Sequence, residues 1–223
     1  MSQSDGWPMM GHGGEPELEG EIGLEPFEAA PPTSDDFQQG LGLQWQWQAN
    51  PNSAWYETDG KRLRLMAVPA SSLFHAGQFL SQLMQSFAFD MDVRLTLHAR
   101  TGDRAGVGMM GYDYSYLALE QGRVVLVSGR ARERGRFAAE FVQETETASE
   151  AWTEDTVMFR MHVQDGLVSY AFGKDEVSLK LIGKAIPMAN GGWTSARPGV
   201  FCMNLCGLWG GWADLAWVHV TAR

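Results

Sequence analysis

An alternation of apolar and polar residues with a period of two runs through most of this 223-residue chain, and it constrains the fold more than any other feature. From Phe87 to His98, apolar side chains occupy every odd position and mostly polar ones the even positions. Side chains of a strand point alternately to opposite faces of a sheet, so this pattern is typical of a strand with one buried and one solvated face. Residues 156–172 repeat the pattern on both sides of Gln164-Asp165-Gly166, which predicts a hairpin.

Many further short strands are predicted, and several are separated by turn signals such as Asp59-Gly60, Gly102-Asp103 and Gln121-Gly122. The composition of 79–85 is compatible with a helix, but its place between strands favours a strand. Ten or more strands without a convincing helix predict an all-β fold, a two-sheet antiparallel β-sandwich of the jelly-roll type. The further predicted strands cover 63–68, 104–110, 114–120, 124–127, 136–142, 200–205 and 213–220.

The chain is predicted to hold one domain and a tail. Residues 1–32 are rich in Gly, Pro and Glu and show no sustained period, which indicates a linker or extended tail. Residues 33–223 carry the alternation and are predicted to form the sandwich. A single β-domain of this size is ordinary, and 44% hydrophobic residues with nine Trp supply a core.

The net charge of -10 and the pI of about 4.9 argue against nucleic acid and membrane surfaces as partners, since both are anionic. A neutral polysaccharide stays compatible with such a surface. Cys202 and Cys206 would share a strand face at about 13 Å, too far to bond, so both are predicted to be reduced. Neither a signal peptide nor a long apolar run is seen, which favours the cytoplasm.

No pattern in the sequence predicts catalysis. Asp90 with Asp92 and Glu144 with Glu146 alternate with other residues as solvated faces do, and they have no placement that indicates a glycosidase pair. A nucleophile elbow and metal-binding His or Cys spacings are missing. The G-x-G-x-x-G match at 106–111 lacks a βαβ unit, so it is interpreted as a glycine-rich strand that something packs against closely.

Several motifs carry a family resemblance, and they occur in the family's order over about 180 residues. The motifs are Asp35-Asp36-Phe37, Leu43-Gln44-Trp45-Gln46-Trp47-Gln48-Ala49-Asn50-Pro51 with Trp55, Gly102-Asp103-Arg104-Ala105-Gly106-Val107, Val168-Ser169-Tyr170-Ala171-Phe172-Gly173-Lys174, Arg197-Pro198-Gly199-Val200-Phe201-Cys202 and Gly211-Trp212-Ala213-Asp214-Leu215. They resemble the C-terminal β-sandwich of family 43 glycoside hydrolases, which are β-xylosidases and α-L-arabinofuranosidases. That domain is also classed as carbohydrate-binding module family 91. Residues 76–83 depart from the family pattern by lacking two arginines and an asparagine.

The resemblance implies a concanavalin A-like accessory domain that is not an enzyme by itself, because the family's catalytic carboxylates belong to an upstream five-bladed propeller. The leading expectation is a noncatalytic module that binds xylan or xylo-oligosaccharides. A second is a structural domain that completes the active site of a hydrolase and binds no sugar alone. A third is a small glycosidase. The implied partners are the sugar and a family 43 propeller, upstream or on a separate chain.

The candidate sugar-binding or interface residues are aromatic, because Trp and Tyr rings stack on the apolar faces of sugars. Trp193 follows Gly191-Gly192, which suggests a projecting loop, and in some family members the corresponding loop reaches the catalytic pocket. The weaker candidates are Tyr112, Tyr114, Trp209 and Trp212.

A structural calcium ion is a further expectation, at Asp35, Asp36 and Asp214. Jelly rolls often place their terminal strands side by side, and carboxylate oxygens are suitable ligands for calcium. The alternative is that these residues cap turns or carry surface charge.

Overall fold

The computed structural model describes residues 2–4, 7–9, 15, 33–133, 139–191 and 195–223. The chain divides into two compact units, Met1–Pro31 and Pro32–Arg223. In the first unit, β1 (Ser2–Ser4) pairs antiparallel with β2 (Trp7–Met9). Among the described residues, no helix is long and apolar enough to cross a bilayer.

The second unit is built from strands with two short 3₁₀ turns, Ser53–Trp55 and Leu73–His75. The strands form two sheets that share one core. In chain order they are β3 (Gln46–Trp47), β4 (Tyr56–Thr58), β5 (Leu63–Met66), β6 (Val68–Pro69), β7 (Leu80–Ser81), β8 (Phe89–His98), β9 (Asp103–Met110), β10 (Asp113–Glu120), β11 (Arg123–Glu133), β12 (Ala139–Ala151), β13 (Thr156–Gln164), β14 (Leu167–Gly173), β15 (Lys180–Pro187), β16 (Arg197–Asn204) and β17 (Trp212–Ala222).

One sheet, called the β8 sheet, has the order β15-β14-β13-β8-β17-β5-β4, and the other, the β9 sheet, has the order β12-β11-β10-β9-β16-β7-β3. The pairs are antiparallel except for the short parallel pair of β6 with β16. Two short strands pair with the edge of β16 that faces away from β9. Val200 lies opposite Leu80 of β7, and Met203 lies opposite Val68 of β6. The predicted two-sheet antiparallel sandwich is confirmed.

The alternation of the sequence builds the core between the sheets. Val93 and Leu95 of β8 and Val157 and Phe159 of β13 are all at most 1% exposed, and they pack in one cluster with Val107 of β9. Burial of such side chains stabilises the fold by about 1.5–3 kcal/mol each. The apolar positions of the period-two pattern therefore form the inner faces of both sheets.

The predicted hairpin is confirmed in β13 and β14, with Gln164 opposite Leu167. Its two loop residues, Asp165 and Gly166, have φ of 52° and 74°. Two positive φ values define the type I′ turn, whose twist matches that of the strands it joins.

The glycine-rich stretch 106–111 lies in and just after β9, and its interpretation as a site of close packing is confirmed. A Cβ atom on Gly106 would lie 1.9 Å from the carbonyl oxygen of Leu117 in the neighbouring strand. One on Gly108 would lie 2.9 Å from the Cβ of Tyr116. Side chains at these positions would push the strands apart.

A second apolar cluster covers the outer face of the β9 sheet. The crossing segment, residues 70–79, lies over this face and buries Leu73 and Phe79 completely. Beneath it, the rings of Tyr116 and Phe201 pack edge to face at 5.1 Å. The outer face of this sheet is consequently a second core.

Several local expectations are wrong. In 79–85 only Leu80–Ser81 forms a strand, and Phe87 precedes β8 with 79% of its surface exposed. Of the predicted strand 136–142, residues 139–142 lie in β12, which continues to Ala151, and residues 136–138 lie outside the described residues. β15 is not predicted, because an edge strand with few buried side chains lacks the alternation. Cys206 lies beyond the end of β16; both cysteines are free, as predicted.

Asp90 and Asp92 are also not the solvated residues that alternation indicates, since they are 3% and 8% exposed. Arg160 donates two 2.6 Å hydrogen bonds to Asp92. Asp90 contacts Arg223 and lies 2.5 Å from Nδ1 of His162. The two carboxylates therefore contact charged side chains instead of the solvent that the period-two pattern predicts around them.

We predict that Gly106→Ala destabilises the domain by about 3 kcal/mol or more, because the added methyl group meets backbone atoms that cannot move independently. The control is Gly122→Ala, whose Cβ meets nothing within 4 Å but whose φ of 83° carries strain of about 1 kcal/mol. Thermal and urea unfolding measure both variants. Equal losses of stability would show that the approach of β9 to β10 is not tight.

Candidate functional site

The structure separates the aromatic candidates between the two ends of the sandwich. β10 runs from Asp113 at one end to Glu120 at the other, and these residues name the ends. Tyr112 precedes β10, and its backbone N–H donates to the carbonyl of Asn190 at 3.3 Å. The loop that contains Trp193 therefore starts at the Asp113 end, although Trp193 itself lies outside the described residues.

Trp209 and Trp212 lie at the opposite end. β16 runs antiparallel to β9, so Asn204 at its C-terminus lies beside Asp103 at the start of β9. The loop that leaves β16 consequently emerges at the Glu120 end. The structure thus places Trp209 and Trp212 at the same end of the sandwich and Tyr112 at the other end.

Tyr114 requires a correction, because it is buried with only 2% of its surface exposed. Its ring stacks on Phe74 at 6.3 Å and lies directly against Gly129. Its hydroxyl donates to Oε1 of Glu144 at 2.8 Å. Burial, followed by the charge of Glu144, raises the pKa of Tyr114 well above its ordinary value. Tyr114 is part of the second core and offers no ring face to a sugar.

A cleft of about 670 Å³ opens at the Glu120 end, and it is called the end cleft. Three connections form it, between β8 and β9, β10 and β11, and β12 and β13. Its wall combines aromatic rings, carboxylates, an amide, a guanidinium and an imidazole. The lining residues are Leu97, His98, Ala99, Arg100, Leu119, Glu120, Gln121, Gly122, Trp152, Thr153, Glu154, Asp155 and Trp212.

Trp152 supplies an apolar wall of the end cleft and was not predicted. It is half-buried, packs edge to face on Phe172 at 5.6 Å, and donates from Nε1 to the carbonyl of Thr156 at 3.2 Å. The sequence offers one signal for it, a Trp in front of the polar run Thr153-Glu154-Asp155 and shortly before the predicted strand that begins at residue 156. The two contacts fix the ring in place.

Trp212 lines the end cleft from β17, but its ring already has partners. His98 stacks on it at 4.9 Å, and the guanidinium carbon of Arg64 lies 4.8 Å from its centroid. Its Nε1 is buried and has no hydrogen-bond partner among the described residues. Trp212 therefore organises the wall and is a poor stacking platform.

Trp209 is the open aromatic ring at this end, with 53% of its surface exposed. It follows Leu208, which is 68% exposed, in the loop between β16 and β17. Both side chains project from the end of the sandwich and fill no part of its core. Of the two candidates at this end, Trp209 is therefore the one whose ring is accessible for stacking.

A buried carboxylate holds this loop. Asp103, 1% exposed, accepts at Oδ1 from Nδ2 of Asn204 at 2.7 Å. Its Oδ2 accepts at 2.7 Å from the backbone N–H groups of Arg100 and Gly211. A Cβ on Gly210 would lie 1.8 Å from Oδ1, so only glycine fits there. One side chain thus fixes both loops beside the end cleft.

Asp214 lies on the outer face of the β8 sheet within an ion-pair cluster. Arg64 donates to it from Nε and Nη2 at 2.7 and 3.0 Å, and Arg62 donates from Nη1 at 2.9 Å. Nε2 of His98 lies 3.2 Å away. Burial alone would raise the pKa of Asp214, but the hydrogen bonds and charge of Arg64, aided by Arg62 and His98, hold it below its usual range.

The other two calcium candidates act as caps. Asp35 accepts from the backbone N–H of Phe37 and from Nε1 of Trp45, both at 2.8 Å, and Asp36 accepts from the N–H of Gln38 at 3.1 Å. Asp35 does pair with Val218 of β17, so the terminal segments are neighbours. Its side chain, however, faces the core side, whereas Asp214 lies on the outer face. The structure does not bring the two carboxylates together.

Comparison with models of known protein families shows which family this chain belongs to. Residues 34–221 match the family model described as the β-xylosidase C-terminal concanavalin A-like domain. The chain belongs to this family. A search of the curated proteins found no match.

Solved structures of family 43 glycoside hydrolases (GH43) contain a region similar to this β-xylosidase-type C-terminal domain. A bifunctional GH43-CE protein from Bacteroides eggerthii is 20% identical at a TM-score of 0.75, covering 85% of this chain and 27% of that one. The xylan β-1,4-xylosidase from Bacillus halodurans is 17% identical at 0.73, covering 91% and 41%. An engineered GH43 enzyme with endo-xylanase and exo-arabinofuranosidase activity is 18% identical at 0.76, covering 90% and 42%. The domain thus spans less than half of each of these chains.

We predict that acid unfolds the domain in part through Asp214. Its pKa is lowered in the folded state, so its contribution is complete above about pH 4 and is lost as the pH falls further, through the folded pKa. Asp214→Asn should cost about 3 kcal/mol at pH 7 and flatten the acid limb of stability against pH. Urea unfolding at several pH values measures this. The exposed Asp165→Asn is the control, and an unchanged acid limb in Asp214→Asn would contradict the assignment.

Calcium at Asp35, Asp36 and Asp214 stays a prediction of the sequence. The contacts above give all three carboxylates protein partners, so chelation is the deciding measurement. An ion bound there would make EDTA lower the melting temperature of the parent, and less so that of Asp36→Ala, whose exposed side chain makes one local hydrogen bond. A parent that melts at the same temperature with EDTA and with added calcium would rule the ion out.

Proposed function

We propose that this domain is a noncatalytic accessory module that recognises xylan or xylo-oligosaccharides for a GH43 catalytic domain. The observation that carries the proposal is the end cleft, whose wall joins the fixed ring of Trp152 to several polar side chains. The exposed ring of Trp209 does not line the cleft but lies at the same end of the sandwich. The cleft's volume of about 670 Å³ lies in the range of ligand-binding pockets.

The chemistry of the end cleft matches that of a neutral sugar. A pyranose presents C–H groups on its faces, which pack on aromatic rings, and hydroxyl groups around its rim, which both donate and accept. Glu154 and Asp155 offer acceptors, Arg100 offers donors, and the amide of Gln121 offers both. Such mixed polarity around apolar walls orients a ligand with many hydroxyl groups.

Hydrolysis is not part of the proposal. Glu120, a carboxylate of the end cleft, accepts from Nε of Arg104 at 2.6 Å and from Nε of Arg123 at 2.5 Å. Glu154 forms an ion pair with Lys174. Carboxylates paired in this way can still accept from sugar hydroxyl groups but are not placed as a catalytic acid and base, and in the GH43 resemblance the catalytic carboxylates belong to another domain. The similar enzymes, named for xylosidase and xylanase activities, support xylan as the sugar.

A second candidate function is that of a structural domain which completes the active site of the hydrolase. The neighbouring exposed side chains of Leu208 and Trp209 favour it, because an apolar pair on a fixed loop also suits a protein surface. Trp193 stays a prediction for such a contact from the Asp113 end. This candidate requires no sugar affinity in the isolated domain.

We predict that Trp209→Ala weakens retention on insoluble xylan without lowering the melting temperature, because a half-exposed ring outside the core contributes little to folding. Loss of one stacked ring should reduce retention by about tenfold. The matched control is Phe87→Ala, which removes an exposed aromatic ring in front of β8, at the other end of that strand from the cleft residue His98.

The outcomes separate the candidates. A parent domain that xylan does not retain, but whose Trp209→Ala variant lowers turnover when joined to a GH43 propeller, would replace the recognition module with the structural domain. Retention that survives in Trp209→Ala and falls in Trp193→Ala would move the sugar to the Asp113 end. Release of nitrophenol from an aryl xyloside by the purified domain, abolished by one Asp or Glu substitution, would establish a glycosidase instead.

A further inference from the structure

A second cleft, of about 320 Å³, adjoins the end cleft on the outer face of the β8 sheet. It is called the basic cleft and is lined by Lys61, Arg62, Thr96, His98, Asp214 and Ala216. His98 lines both clefts, so they are neighbours on either side of this residue. A branched ligand in the end cleft would have its branch within reach of the basic cleft.

The carboxylate of the basic cleft is already neutralised by contact. Asp214 receives two hydrogen bonds from Arg64, which lies behind the cleft, in a bidentate arrangement. Arg62 adds a third and also lies 3.3 Å from Asp59. Because two guanidinium groups surround it, Asp214 does not present a free negative charge to a ligand.

Lys61 adds a positive charge that is not neutralised. Its side chain is exposed at the turn between β4 and β5, and it forms no ion pair within the described part of the chain. Arg62 keeps 42% of its side chain exposed beside it. An ammonium and a guanidinium at the rim of a small cleft are the donors that a carboxylate accepts from.

We propose, on the basis of the xylan recognition proposed above, that the basic cleft binds the carboxylate of a uronic acid substituent on the xylan chain. The end cleft holds the neutral backbone sugars, and Lys61 holds the acidic branch. Arg62 lies beside Lys61, but its charge is already paired with Asp214 and Asp59. The ligand class is thereby narrowed from xylan in general to xylan that carries uronic acids.

The overall charge of -10 does not conflict with an anionic branch. Charges more than about 8 Å apart are largely screened at physiological ionic strength, so distant carboxylates contribute little. Contacts at hydrogen-bond distance are screened much less. A single carboxylate can therefore be attracted locally by a protein that repels polyanions such as nucleic acid.

The test compares glucuronoxylan with the same polymer after its carboxyl groups have been reduced to alcohols. Affinity electrophoresis of the parent should show about two- to fivefold tighter binding of the acidic polymer, since exposed ion pairs contribute modestly. The difference should vanish in about 1 M salt, whereas binding of the reduced polymer should remain. Lys61→Gln should abolish the difference at low salt.

The charge-matched control is Lys184→Gln, an exposed lysine on β15 at the opposite edge of the β8 sheet, which should keep the preference. Equal affinity of the parent for both polymers would overturn the uronic acid proposal and leave xylan recognition standing. A preference that persists in Lys61→Gln would also overturn it. Failure to bind either polymer would instead overturn the proposed function itself.

Discussion

The carboxylate of Asp103 ties together the segments that form the Glu120 end of the sandwich. Its donors come from the loop before β9 and from both ends of the loop between β16 and β17, where Asn204 and Gly211 lie 101 and 108 residues from Asp103 in sequence. A buried carboxylate is expensive unless each oxygen is satisfied, and here charge-assisted hydrogen bonds meet that cost. The same hydrogen bonds set the path of the loop that carries Trp209, so Asp103 stabilises both the fold and the candidate site.

The sequence predicts the fold well where a strand has one apolar and one solvated face. β13 and β14 satisfy that condition and carry an Asp-Gly turn, so their positions follow from the pattern. β15 does not satisfy it, because most of its side chains are exposed and no alternation arises. At Asp90 and Asp92 the pattern identifies the strand but not the environment, since arginine and histidine partners come from other parts of the chain.

The candidate site is less predictable, because it depends on contacts between distant segments. Trp209 could be proposed from its glycine-rich surroundings, and the structure leaves it exposed. The burial of Tyr114 could not be predicted from the pattern. It results from the crossing segment, residues 70–79, which covers the outer face of the β9 sheet and makes it a second core. The end cleft combines three loops with Trp212 of β17, and period-two patterns carry no information about which loops meet at one end of a sandwich.

The separation of the two ends limits what one ligand can contact. β10 has eight residues, which at a rise of about 3.3 Å per residue places the Asp113 and Glu120 ends roughly 25 Å apart. A ligand confined to the end cleft therefore does not reach Tyr112 or the loop that starts at Asn190. Sugar recognition at one end and contact with a catalytic domain at the other are compatible within one sandwich. The proposed sugar-binding and structural roles need not compete for the same surface, and substitutions at the two ends should act independently because the ends are far apart.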